Sequence, residues 1–311
     1  MRGYTSLQTA TNSQQRLTRK SGRIRIAMGA NYGGPENLSM YAKTSLYPMF
    51  AWLFLIQTSL ANDCSGPSDD CVVIGRWNFS VSLGAGARTN PLVNGRDIPL
   101  VVVPQFSYYG NRFFINDFDL GFTFAESDAN AFNLVASPGY DRVYFYRSDL
   151  QNIFVSGFPD SPNTENTGSV PFPPRARHIT YLAGPEWTFK YAGVSGQLDV
   201  LHEITGQNGG NEIRAALGIP LIVPRGSLTA NIGITWKSAE IVNYYYGAPN
   251  IYDAGSALEP FFKLGYTLPL AGKWRFNAFV EYERLGNAIA NSPIVAEHQV
   301  ETAFVGAIYA F

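Results

Sequence analysis

The chain is short of charge, of cysteine and of histidine, and each shortage removes a class of function. Only 15% of its 311 residues are Asp, Glu, Lys or Arg, against roughly a quarter in soluble domains. Something other than a charged surface must reconcile it with its solvent. The formal net charge of -1 gives no long-range field for a polyanion, which excludes nucleic acid as a partner. The three histidines, His178, His202 and His298, share no metal-ligand spacing with one another or with the two cysteines. No helical period takes over after residue 76, so no glycine-rich phosphate loop opens a helix, and no cofactor is expected. Ser292 lies near His298, but nothing orients the pair or marks an oxyanion hole, so no catalytic residue is assigned and no enzyme is expected.

Long apolar runs are also missing. The longest, 49–56, falls well short of the roughly 20 residues that cross a bilayer as a helix. Lys43 precedes it and Ser59-Leu60-Ala61 follows, which is the plan of a secretory signal peptide over 40–61, cut between Ala61 and Asn62. Residues 1–39 carry scattered Arg and Lys without apolar period and are expected to be unstructured or to lie upstream of a true start at Met40. Residues 62–76 then form a periplasmic amino-terminal segment holding Cys64 and Cys71. In an oxidising periplasm these two fit a local disulfide, with free thiols or a lipoprotein anchor as alternatives; Asn62 and Asp63 before Cys64 disfavour the anchor.

What the chain has in abundance is glycine, tyrosine, phenylalanine and a period of two. Trp77, Phe79, Val81, Leu83 and Ala85 alternate with polar or small residues, as do Phe118, Leu120, Phe122 and Phe124. Leu228 to Trp236 and Trp274 to Tyr282 repeat the pattern most clearly. The last row, Ala303, Val305, Ala307, Tyr309, Phe311, ends on the final residue. Such runs suit transmembrane strands of about 9 to 11 residues.

Soluble sandwiches alternate too, and the connections shift the balance. Tight turn chemistry marks Gly110-Asn111, Pro138-Gly139, Ala192-Gly193, Pro224-Arg225-Gly226 and Ala271-Gly272. Longer joins fall between them at 88–97, 148–175, 205–211, 239–256 and 285–297; only 126–129 is short where the alternation calls for a long one. Brief periplasmic turns and extended outer loops describe an outer-membrane barrel. The reading is an all-β, up-and-down antiparallel barrel over 77–311 with about twelve strands, both termini periplasmic, embedded in outer-membrane lipid. The weakest strands are 141–147 and 195–203. Aromatics near strand ends, including Trp77, Tyr108, Tyr109, Trp187, Trp236, Trp274 and Tyr309, suit interfacial girdles.

The faces opposite the apolar rows carry Asp119, Glu186, Lys190, Asp199, Arg214, Lys237, Lys263, Arg275, Glu281 and Glu283. Mixed signs favour an interior that pairs with itself over an ion-selective pore, which would use rings of one sign. In the longest connections, Tyr244, Tyr245 and Tyr246 either dock a protein or glycan outside or fold inward to brace the mouth.

The Tyr244-Tyr245-Tyr246-Gly247 segment with Tyr252 and Ala254, the 289–295 stretch, Arg112-Phe113-Phe114 and the terminal Tyr309-Ala310-Phe311 together resemble the MipA/OmpV family of outer-membrane proteins. The resemblance implies a barrel whose terminal Tyr309 and Phe311 present an insertion signal to the barrel-insertion machinery. It further implies, for one branch, a scaffold between a lytic transglycosylase and a penicillin-binding protein; other members are linked to osmotic adaptation or adhesion. A solute channel is the rival from another class.

Overall fold

The computed structural model describes residues 74–145 and 177–311. The signal-peptide cut at Ala61-Asn62 and the Cys64/Cys71 pair lie outside them.

The chain forms β1 (Trp77–Arg88), β2 (Ile98–Pro99), β3 (Val102–Tyr109), β4 (Phe113–Asn116), β5 (Asp119–Glu126), β6 (Asn130–Pro138), β7 (Tyr181–Tyr191), β8 (Val194–Glu203), β9 (Asn211–Leu221), β10 (Ser227–Lys237), β11 (Ala257–Pro269), β12 (Trp274–Arg284) and β13 (Gln299–Ala310). The two-residue β2 pairs with the outer end of β1 above β3, so the wall counts twelve strands. Every pairing is antiparallel between chain neighbours, and β13 returns to β1 from Ser80↔Ala310 to Arg88↔Thr302. The terminal Phe311 N–H also donates to the Phe79 carbonyl. Closure leaves no open edge along that seam, which the hydrocarbon demands because each unpaired backbone group there costs several kcal/mol.

Period two fixes which side chains meet lipid. Leu83, Phe124, Val200, Ile234, Val280 and Val305 project outward and are 44–53% exposed, while their neighbours Ser82, Thr123, Asp199, Thr235, Glu281 and Phe304 are buried inside. At the periplasmic end Trp77 packs on Tyr108 and Trp274 on Tyr309, with ring centroids 5.2 and 4.9 Å apart. Tyr109 departs from the girdle: its phase turns it into the lumen, where it is buried beside Phe114. The Ala192-Gly193 turn joins the pair Tyr191↔Val194 with φ of 50° and 83°. Two left-handed residues of this kind match the twist of a two-residue hairpin.

The strand count of twelve hides two compensating differences from expectation. Residues 140–145 form a 3-10 helix inside the barrel where a strand over 141–147 was expected, so Pro138-Gly139 is not a hairpin turn. Asp141 and Tyr144 are both drawn to lumen charges, and an i, i+3 spacing on one face is what a 3-10 turn supplies. Conversely, 113–126 folds back on itself. Asn116 pairs with Asp119 across Asp117-Phe118, with Asp117 at φ 52°, an Asx-rich turn chemistry that the outward aromatic row of Phe118 to Phe124 conceals. This extra hairpin explains why 127–129 is short: it is a periplasmic turn. Residues 195–203 do form a strand.

Replacing Val280, outward at mid-strand, with Arg should lower unfolding free energy in phospholipid vesicles by about 2–4 kcal/mol. Glu301→Arg, at the outer end of β13, should cost less than about 1 kcal/mol in the same denaturant titration.

Candidate functional site

The lumen is the place where this sequence concentrates its chemistry, because alternation delivers one polar side chain per two residues from every strand. Three charged nodes result. Arg88, the last residue of β1, sends its guanidinium to Glu283 at 3.0 Å and Glu281 at 3.5 Å. It also donates to the Thr302 hydroxyl at 3.1 Å and the Tyr144 hydroxyl at 2.6 Å. Lys237, at the end of β10, is fully buried between Glu259 at 2.6 Å and Asp141 at 2.9 Å, and the Tyr246 hydroxyl donates to the same Asp141 oxygen at 2.8 Å. On the far wall, Glu186 accepts from Asn133 at 2.6 Å and from Gln197 at 2.9 Å; Gln197 also reaches Asp199. Arg214 bonds Glu212 at 2.6 Å. Arg88, Lys237 and Arg214 each thus have a carboxylate partner, while carboxylates outnumber cations at Lys237 and on the far wall, where Asn133 and Gln197 donate to the surplus acid.

Above these nodes the described outer connections fold into the mouth. Helix α1 (Ala239–Tyr246) buries Ile241, Val242, Tyr245 and Tyr246 on one face. The short α2 (Asn287–Ala290) buries Ile289 and Ala290 against it. Leu92, Leu285, Ile294 and Val295 complete one apolar cluster with them, and the loop after β1 is tied to the loop before β13 by the Val93 N–H on the Ile294 carbonyl. An apolar layer therefore lies over a polar one.

The Tyr244-Tyr245-Tyr246 run takes the inward course. Tyr245 hydroxyl and Thr180 hydroxyl are 3.0 Å apart, Tyr246 reaches Asp141, and both rings are buried, so neither offers a surface to a partner. Tyr244 is part-exposed and accepts from the His178 backbone N–H. The helix was missed because eight residues between two strands are too few for a periodic signal. Ser292 is buried and donates to the Tyr246 carbonyl at 2.5 Å, while His298 is exposed; the two do not form a nucleophile and base. His178, His202 and His298 are all exposed, and among the described residues no cluster of His, Cys, Asp and Glu could hold a metal. Tyr309 projects outward in the terminal row and Phe311 is 70% exposed beyond it.

Of the lumen charges read from alternation, Asp119, Glu186, Asp199, Lys237, Lys263, Glu281 and Glu283 are buried as expected; Arg275 is exposed at the periplasmic end. Arg88, Asp141, Glu212 and Glu259 went unread. Arg88 and Glu259 were findable, since each continues the polar phase of its strand; Asp141 was not, because it sits on the 3-10 helix.

The model of the family described as MltA-interacting protein MipA matches residues 83–311. The chain is 24% identical over 242 residues to the putative outer membrane protein YiaT of Escherichia coli K12, covering 74% of this chain and 91% of that one. It is 22% identical over 244 residues to the MltA-interacting protein of the same strain, covering 75% and 90%. Among solved structures, a porin is similar at a TM-score of 0.34 and 7% identity, over 76% of this chain and 99% of that one.

Lys237→Met removes the cation between two buried carboxylates and should destabilise the barrel by about 3–5 kcal/mol. Adding Glu259→Gln, which takes away one stranded charge, should restore at least half of that loss, read from the midpoint of denaturant unfolding.

Proposed function

The chain belongs to the MltA-interacting protein MipA family, and from that membership we propose that this outer-membrane barrel is a non-enzymatic scaffold for murein-degrading and murein-synthesising enzymes. The observation that carries the reading is the interior. Arg88, Lys237 and Arg214 spend their charge on carboxylates within the lumen, and an apolar layer covers them at the mouth. A barrel built to pass cations or anions would keep its charged groups free along an open axis, and these cations are committed to partners.

Supporting the partner side are large apolar groups at the periplasmic turns. Ile222, in the connection between β9 and β10, is fully exposed; Tyr191 is 79% exposed and Leu270 48%. These side chains offer apolar surface that another protein or lipid headgroups can cover. The turns form the face that reaches toward the cell wall. By resemblance the partners are a lytic transglycosylase and a penicillin-binding protein.

The rival reading as a solute channel is separated by planar-bilayer recording. The scaffold reading expects no discrete openings from the purified protein above the baseline of bare lipid; reproducible unitary steps would overturn it. For the partners, the folded barrel should retain a lytic transglycosylase from a periplasmic extract, and Ile222→Asp should weaken that retention at least about tenfold, the loss of one central apolar anchor. Equal capture by the variant would remove the turns from the interface.

A further inference from the structure

The extra hairpin has a cost for the wall. The β4–β5 turn lies in register with Phe106 of β3: the Asp117 N–H donates to the Phe106 carbonyl at 2.7 Å, and the Phe106 N–H donates to the Asp117 carboxylate at 2.9 Å. Phe106 in turn faces Phe79 of β1, nine residues below Arg88. The hairpin therefore stops well short of the outer rim. Above it, among the described residues, no strand pairs with the free edge of β3 from Val102 to Gln105.

Both flanks of this gap are built for it. In an antiparallel pair, backbone groups of alternate residues point to alternate neighbours. The Gly84 N–H bonds the Val101 carbonyl, so odd residues of β3 serve β1 and even ones face the gap. Pro104 is even, and proline brings no N–H to leave unpaired there. On β6 the Lys190 N–H bonds Ala129 and the Gly139 N–H bonds Thr180, so odd residues serve β7. Pro138 is even, just beyond the last β5 pair, Leu120↔Ala136. Two prolines thus remove donors on the two sides that the short hairpin leaves without a partner.

Behind the gap is a cavity of about 120 Å³. It is lined by inward Val103 and Gln105 and also by outward Pro104 and Phe106, so it runs past the sheet edge from lumen to outer face. Phe279 and Phe304 form its inner wall with Leu100 and Phe118, so the surface is mostly apolar, while Asp117, Tyr140, Glu281 and Thr302 add polar groups at its margin. The one cation there is committed: Lys263 lies 3.3 Å from Glu281 and 4.6 Å from the Phe279 ring centre. Two buried donors in the same lining, the Ser82 hydroxyl and the Gln105 amide nitrogen, have no hydrogen-bond partner among the described residues. Apolar cavities of about 150 Å³ take up a benzene ring and stay otherwise dry, and a buried donor without an acceptor is costly.

From this we propose that the gap above the β4–β5 hairpin is a lateral port, through which a single acyl chain bearing a carbonyl or carboxylate enters from the surrounding bilayer. The chain lies against Phe279 and Phe304, and its oxygen accepts from Ser82 and Gln105. The bilayer is the source because the opening lies in the lipid-facing wall below the rim, where outward Phe106 and Leu120 meet hydrocarbon. The port is independent of the scaffold reading: it rests on the gap and the cavity alone and holds whether or not the barrel conducts ions.

The test uses the full barrel folded in phospholipid vesicles containing a palmitic acid that carries a photoreactive diazirine near its carboxyl end. Illumination and peptide mapping should place adducts on the inward residues Val103, Phe279 or Phe304, competed by excess palmitic acid. Val103→Trp, which fills the cavity, should reduce those adducts at least about tenfold while labelling of outward Phe122 and Phe132 persists. Gln105→Leu keeps the apolar wall and should weaken competition by palmitic acid, with little change toward a plain alkane probe. Heat-modifiable migration on gels establishes that each variant is folded. Labelling confined to outward residues, or inward labelling indifferent to Val103→Trp and to competitor, would overturn the port and leave a cavity that holds water only.

Discussion

Everything in this molecule depends on the pairing of β1 with β13. Unpaired backbone is costly in hydrocarbon, and twelve antiparallel strands become a membrane protein only when the first finds the last. The final residue takes part directly, since the Phe311 N–H bonds Phe79. Once the ring is closed, period two does the sorting: one side of each strand is handed to lipid and the other to a narrow interior.

That interior then sets its own constraint. Ionised groups carried inward by alternation cannot be left alone beneath the apolar cluster formed by α1, α2 and the loop around Leu92. Arg88 with Glu281 and Glu283, and Lys237 with Asp141 and Glu259, are the consequence. These pairs also recruit the 3-10 helix, whose Asp141 and Tyr144 each complete one node. The outer connections are thereby held in the mouth by polar contacts from below and apolar packing among themselves. Among the described residues, the wall is interrupted at the short β4–β5 hairpin, a gap bordered by prolines and by the aspartate that caps Phe106.

Much of this was legible in the sequence because a membrane barrel writes its fold in a two-residue code. The outward rows of β1, β10, β12 and β13, the Ala192-Gly193 hairpin, and seven of the buried lumen charges follow from that code alone. The failures occurred where the code is locally overruled. The row from Phe118 to Phe124 runs on in phase through a turn whose backbone reverses at Asp117, so a hairpin read as part of one strand. Residues 140–145 looked like a strand, but their side chains answer to Arg88 and Lys237 across the lumen rather than to lipid. The tyrosine triplet left two directions open in sequence, and only the burial of Tyr245 and Tyr246 decides between them.

The closing seam admits a direct measurement. In a variant with Cys64 and Cys71 replaced by Ser, new cysteines at Ala85 and Val305, which face each other across β1 and β13, should form a disulfide on mild oxidation in the outer membrane. The linked chain should migrate differently from the reduced one after full denaturation. No cross-link at that pair, with efficient linkage instead between cysteines at Ala85 and Ala307, would contradict the register and the barrel built on it.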